Sequence, residues 1–271
     1  NIYALDCTSR RTAAFAACPQ VGAVLDATDL SRVGRLFALL DGLLTERQTR
    51  LQGGNYAQYV AAHDVRGCPA VLLVVEDIAA FRERTACAYD DTLLRLAREG
   101  AACGIYLFVT GSGFGMQDIP ARLADALRTV LVLELPDRAR YGETLRCRMP
   151  QGLPTEAAPG HGLTVLGGRV VEFQTALAAD APDDYARADA LRRESEALRT
   201  AWPGRPARRV PGIPAAPTWR DLTAHEDYAA IQTAGVCLPF GYDLETAALW
   251  GVDLQTTFCF AAAGRAGSGR G

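Results

Sequence analysis

The sequence predicts an α/β fold in which a parallel sheet is flanked by helices. Continuous apolar runs such as AVLLVV (70–75) and GIYLFVT (104–110) fit strands buried on both faces, as parallel strands are. Stretches with helical spacing of apolar residues lie between such runs. The connections are short, which is the pattern of successive βα units.

Each element follows from local chemistry. NIYALD (1–6) reads as a short buried strand. Between 26 and 50, Val33, Leu36, Phe37, Leu40, Leu43 and Leu44 fall on one helical face, with Asp29 or Ser31 as the cap. A second helix covers 56–63. Pro69 introduces the strand at 70–75, which runs into Glu76-Asp77. A long helix is expected over 85–98, closed by Gly100. The strand at 104–110 leads to GSGFG, then to a helix near 120–128 and a strand, TVLVLEL (129–135). In LTVLGGRVVEFQTAL (163–177), Gly167-Gly168 between two β-rich runs reads as a hairpin at the sheet's C-terminal edge. A charged helical stretch and the proline-rich PGRPARRVPGIPAAP come next, the latter expected to run extended. LPFGYDLETAALWGVDL, a strand TTFCFAAA (256–263) and GRAGSGRG (264–271) close the chain. The first residue is Asn1, and the sequence reads as a piece of something longer.

Composition narrows the function classes. Of 271 residues, 49% are hydrophobic and 22% charged, which suits a water-soluble globular chain with ample core. The formal net charge of −3 lacks the basic surplus of a dedicated nucleic-acid binder. Eight cysteines and three histidines show no CxxC pair and no ligand spacing, so no metal site of the zinc type is expected. The cysteines sit among apolar neighbours, as small core residues of a reduced cytoplasmic protein do.

Two motifs carry the chemistry. The 264–271 loop has GxxxxG spacing, with Gly264, Gly267, Ser268, Gly269, Arg270 and Gly271 as the phosphate-binding candidates. With 26 glycines, such spacing arises by chance about two or three times in a chain of this length. The apolar run leading into the loop is the stronger sign. Glycines there let successive backbone N–H groups face an anion. Arg270 stands where lysine would make a compact contact, and Gly271 where a hydroxyl would hold magnesium. The alternative is a flexible glycine tail. Glu76 and Asp77 are the candidate magnesium-orienting and water-activating carboxylates, at the carboxyl end of a buried strand. The usual order is Asp then Glu, and a shift of ~1 Å can cost a large factor in rate. The alternative reading is an acid pair that caps the next helix. Thr110 and Ser112 end the neighbouring strand as candidate phosphate sensors, or as ordinary strand-end polar residues. A rival dinucleotide reading of Gly111, Gly113 and Gly115 with Glu134 fails on spacing, because the loop is GxGxG and Pro120 delays the helix.

NIYALD, PAVLLVVEDIAAF, EGAACGIYLFVTGS, IPARLADALRTVLVLELPD, GHGLTVLGGRVVEFQTAL and LPFGYDLETAALWGVDL with GRAGSGRG occur in one order. Together they resemble the FtsK/SpoIIIE family of RecA-like P-loop NTPases, in particular the tandem ATPases of type VII secretion, EccC and EssC. The resemblance implies three parts: 1–180 as an ATPase module without its own N-terminal loop, 181–234 as an inter-module linker, and 235–271 as the start of the next module. It implies ATP and magnesium as cofactors, with weak or absent hydrolysis by this piece because both motifs depart from the active pattern. That departure fits a junction between second and third modules. The implied partners are other modules of the same ATPase, secreted helical proteins, other subunits of the secretion machine and, through strand exchange, further copies of this chain. DNA is not expected, although a DNA-translocating relative and a catalytically inert receptor for substrate helices are the alternatives. The expected location is cytoplasmic, tethered to a membrane in the full-length protein. The central phosphate-loop strand is expected beside the acid-bearing strand; either residues outside this sequence supply it, or residues 256–263 fold back, in cis or from a second copy, to fill that place.

Overall fold

The computed structural model describes residues 1–8, 10–113, 115, 118–135, 137, 139–149, 158–225 and 227–265. Its centre is a parallel sheet of four strands: β1 (Ile2–Asp6), β2 (Val21–Asp26), β3 (Val71–Val75) and β4 (Ile105–Val109), in the order β2-β1-β3-β4. Two helices cross from β2 to β3: α1 (Leu30–Leu51) and α2 (Tyr56–Ala62). Asp29 caps α1 by accepting the Arg32 N–H at 3.1 Å. Leu36, Phe37, Leu40 and Leu44 of α1 are buried in the same core as Leu5, Leu25, Leu73 and Val75. Arg47, buried at the far end of α1, donates to the carbonyls of Cys103, Gly104 and Pro69 at 2.9, 3.1 and 2.6 Å. It thereby ties the helix to the entries of β3 and β4.

The helix expected over 85–98 is α4 (Asp90–Glu99), starting later than expected, and a further helix, α3 (Ile78–Arg84), precedes it. Asp77 caps α3, and the positive φ angles of Ala86 and Cys87, 49° and 60°, separate it from α4. Phe37 of α1 stacks on Tyr89 with ring centroids 4.3 Å apart, closing the helical layer.

Beyond β4, α5 (Ala121–Ala126) leads to β5 (Leu131–Val132), which is shorter than the seven-residue run that suggested it. After α6 (Ala139–Leu145), β6 (His161–Leu166) and β7 (Arg169–Gln174) form the expected hairpin. Its turn is Gly167-Gly168 with φ of 56° and 75°, angles that favour glycine. These strands make an antiparallel sheet, β5-β6-β7, separate from the parallel one.

α7 (Asp184–Ala201) lies on the first unit, where the Ser195 hydroxyl donates to the Ala14 carbonyl at 3.0 Å. The proline-rich segment forms neither helix nor strand, and it is docked. The Ala207 N–H reaches the Pro19 carbonyl at 2.7 Å and the Tyr3 hydroxyl reaches the Arg208 carbonyl at 2.7 Å. Val210 joins the main core. Gly22 permits this approach, because a Cβ there would lie 2.4 Å from the Arg208 carbonyl oxygen. α8 (Trp219–Thr223) and α9 (Tyr228–Ala234) precede a two-stranded hairpin, β8 (Cys237–Tyr242) with β9 (Leu249–Asp253). Arg35 of α1 joins the three regions. It is buried and donates to Ser31 Oγ, the Pro211 carbonyl and the Leu244 carbonyl at 2.9, 2.9 and 3.0 Å.

Two expectations are corrected. Residues 256–263 are not a strand. β9 ends at Asp253, whose carboxylate accepts the Gln255 N–H at 2.8 Å and the Thr256 hydroxyl at 3.0 Å in a turn. Among the described residues, no strand pairs with the segment beyond that turn. An extended segment without a partner leaves its backbone groups to water. The fold-back beside the acid-bearing strand fails as well, because β3 already lies between β1 and β4. No described helix is long and apolar enough to cross a membrane.

Candidate functional site

The carboxyl ends of parallel strands are where open α/β sheets place their ligands. Three tips converge here: Asp6 at the end of β1, Glu76-Asp77 after β3, and Thr110 after β4. The Glu76 N–H donates to the Leu5 carbonyl at 2.9 Å, and the Thr110 N–H to the Val75 carbonyl at 3.0 Å. The parallel ladder is thus carried one residue past its strands. Of the residues the sequence singled out, Glu76, Asp77 and Thr110 are brought together. Ser112 lies with Thr110 along a cavity of about 400 Å³ between β4 and β5.

Asp77 is occupied by structure. Its side chain accepts the Ala80 N–H at 3.2 Å and caps α3, and its own N–H donates to Thr110 Oγ1 at 3.1 Å. The Thr110 carbonyl accepts the Ile78 N–H at 2.8 Å, so the two strand tips are stitched together twice. This geometry holds Asp77 at φ 54°, ψ 82°, in the left-handed region that a non-glycine residue enters only when its surroundings fix it. The helix-cap reading describes the geometry of Asp77.

Glu76 has one carboxylate oxygen, Oε2, fully buried, and its side chain lies beside Asp6, whose carboxyl it helps to hold low. Asp6 was not singled out by sequence, although NIYALD ends in it, because one acid at the end of a strand is indistinguishable from ordinary polar termination. It is only 6% exposed. It accepts the Thr12 hydroxyl at 2.5 Å and the Arg10 N–H at 2.9 Å. Burial alone would push its carboxyl up. The hydrogen bonds from the Thr12 hydroxyl, the Arg10 backbone and Glu76 outweigh that and hold it below the usual aspartate range. Beside the pair, burial pushes the Cys7 thiol up to about 12, so it is an inert packing group.

The phosphate-loop candidates divide. Gly264 is described, in irregular chain; Gly267, Ser268, Gly269, Arg270 and Gly271 lie outside the described residues. Among the described residues no cluster of three or more His, Cys, Asp or Glu could hold a metal ion.

No family model matches the chain. EccC, an ESX secretion system protein of Thermomonospora curvata, is 25% identical over 269 residues, covering 94% of this chain and 19% of EccC. ATPases 2 and 3 of EssC from Geobacillus thermodenitrificans match the fold with a TM-score of 0.75 at 17% identity, over 94% of this chain and 48% of that one. ATPases 2 and 3 of Thermomonospora curvata EccC, in complex with a signal sequence peptide, match with a TM-score of 0.64 at 22% identity, over 94% and 45%. The pCW3 conjugation coupling protein TcpA, in its monomer form with ATPγS, matches at 0.50 and 18% identity, over 64% and 51%. The chain therefore spans about half the length of these solved chains and a much smaller part of EccC.

Proposed function

From its homology to the FtsK/SpoIIIE-like ATPase modules of EccC and EssC, we propose that this chain is part of a type VII secretion ATPase at the junction of its second and third modules. It contributes nucleotide-dependent recognition of exported helical proteins and little hydrolysis of its own. The observation that carries this reading is the single alignment running through both the α/β unit and the C-terminal hairpin in order, against chains described as ATPases 2 and 3. Residues 1–180, 181–234 and 235–271 are then one module's rear part, a docked linker and the next module's front edge. The other partners on this reading are the remaining modules and other subunits of the machine, with membrane tethering supplied by the full-length protein.

ATPase relatives imply ATP and magnesium. The sheet tip shows no assembled ion site: Asp77 uses Oδ1 to cap α3, and among the described residues no cluster of three or more His, Cys, Asp or Glu could hold a metal. No step is assigned through magnesium for that reason. The same commitment of the acids favours the receptor reading over the DNA-translocase one, since a translocase needs a working hydrolytic site.

The test is binding of the 271-residue chain to a synthetic C-terminal helix of a small secreted protein and, separately, to duplex DNA across a salt series. Saturable peptide binding with no salt-dependent DNA retention is expected. DNA binding that falls steeply with salt, with no peptide binding, would overturn the reading.

A further inference from the structure

We propose that Arg205, Arg208 and Arg209, on the docked proline-rich segment, form a binding strip for an acidic segment of a partner protein. The strip lies at the β2 end of the parallel sheet, on the side away from β4, and it does not depend on the secretion reading.

The sequence sets the charge. From Ala197 to Arg220 the chain carries five arginines and no Asp or Glu, although its formal net charge is −3. All 28 of its basic residues are arginines. A guanidinium meets a carboxylate through two parallel N–H bonds, which an ammonium cannot do. The helix before the strip shows what these arginines do when acids are at hand. In α7, Arg187 pairs with Asp184, Arg192 and Arg193 with Asp189, and Arg199 with Glu196. The next acid after Glu196 is Asp221. Among the described residues, Arg205, Arg208 and Arg209 pair with no carboxylate.

The fold then fixes the strip. Ala207 and Val210 are buried, which leaves Arg205, Arg208 and Arg209 exposed to solvent. The Trp202 indole N–H donates to the Arg205 carbonyl at 3.3 Å. The Ala207 and Tyr3 bonds, to the Pro19 and Arg208 carbonyls, hold the middle of the strip. A strip whose backbone is already held loses little entropy when it binds. Tryptophan beside arginine is the chemistry of interface hot spots, and Trp202 is itself 38% exposed.

Rigidity and charge together select the occupant. A bilayer attracts basic segments through their charge and needs no fixed backbone. A bilayer or a duplex also extends over a whole face of the molecule and meets its net negative charge. A short acidic segment feels the strip alone, because fields between exposed charges fall off within about 8 Å at physiological salt.

The test is fluorescence anisotropy of a labelled peptide of alternating Glu and Gly with the 271-residue chain, beside the same peptide with Gln in place of Glu. Saturable binding of the Glu peptide alone, weakening as salt is raised, is expected. The triple variant Arg205→Gln, Arg208→Gln, Arg209→Gln alters only exposed side chains. It should keep the wild-type circular dichroism and urea midpoint and bind the Glu peptide about tenfold more weakly. A second triple variant, Arg98→Gln, Arg122→Gln, Arg169→Gln, removes the same charge from exposed positions elsewhere and should bind like the wild type. A wild-type chain that does not bind the Glu peptide overturns the proposal. So does an affinity that is the same in the two triple variants. Binding to vesicles of phosphatidylserine and phosphatidylcholine, or to duplex DNA, without binding to the Glu peptide overturns it in favour of a membrane or nucleic-acid surface.

Discussion

β3 and β8 are both short and largely apolar, yet they end in opposite circumstances. Val71, Leu73 and Val75 of β3 are each 0% exposed, while Leu238 and Phe240 of β8 are 46% and 48% exposed. Composition does not separate them; the layers around them do. β3 has a strand on either side and helices packed against its core. Among the described residues β8 has one partner, β9, and the support of two short helices, with the His225 ring edge-on to Tyr242 at 5.8 Å. Apolar sequence specifies that a strand wants cover. Whether cover exists depends on how many elements of the same unit are present to supply it.

The largest expected difference comes from truncation in each region. Leu73→Ala should cost about 3 kcal/mol, the cavity-forming range for a buried leucine, while Trp250→Ala, at a residue 53% exposed, should cost less, about 1–2 kcal/mol. Urea denaturation checks both, and equal costs would break the comparison. Next is the joint between the regions. Arg35→Met leaves the Pro211 and Leu244 carbonyls without their donor, at about 1–3 kcal/mol. Amide exchange should quicken in the hairpin and the docked linker before it does in β3.

A smaller effect is expected at Asp77. Asp77→Ala loses the α3 cap and keeps the strained φ, at about 1 kcal/mol or somewhat more. Asp77→Gly relieves the strain and should cost only a few tenths of that, about 0.3 kcal/mol. Acid gives a further contrast. The folded-state pKa of Asp6 is lowered, so its stabilisation is present above the unfolded aspartate value and is lost as pH falls through the lower folded value. Asp6→Asn should flatten that part of the acid titration of stability. The last contrast moves no stability at all: Cys87 and Cys259 are exposed and should react with a thiol reagent at pH 8, whereas buried Cys7, raised to about 12, should react only on unfolding.

The first unit was legible because its signals agree. The periodic leucines of α1, the unbroken apolar run of β3 and the glycine pair of the β6–β7 turn each point to one local structure. β2 was not read from VGAVLD, since a glycine and an alanine dilute its pattern and α1 comes close behind. The break between α3 and α4 rests on positive φ at Ala86 and Cys87, which residue identity does not announce. At the site, Glu76, Asp77 and Thr110 were legible as a group because strand ends in a parallel sheet meet. Their roles were not, because a carboxylate that caps a helix and one that faces an ion are the same residue type at the same position. Only the surroundings separate them: Asp77 caps α3 at the Ala80 N–H, and Glu76 lies buried beside Asp6.

On the proposed function, the acids at the sheet tip hold the fold together and do not turn over nucleotide. The direct measurement is phosphate release from ATP and magnesium by the 271-residue chain, beside its Glu76→Gln variant. Release at the background rate, the same in both proteins, is the expected result. Turnover on the order of 1–10 per second that falls about a hundredfold in Glu76→Gln would contradict it.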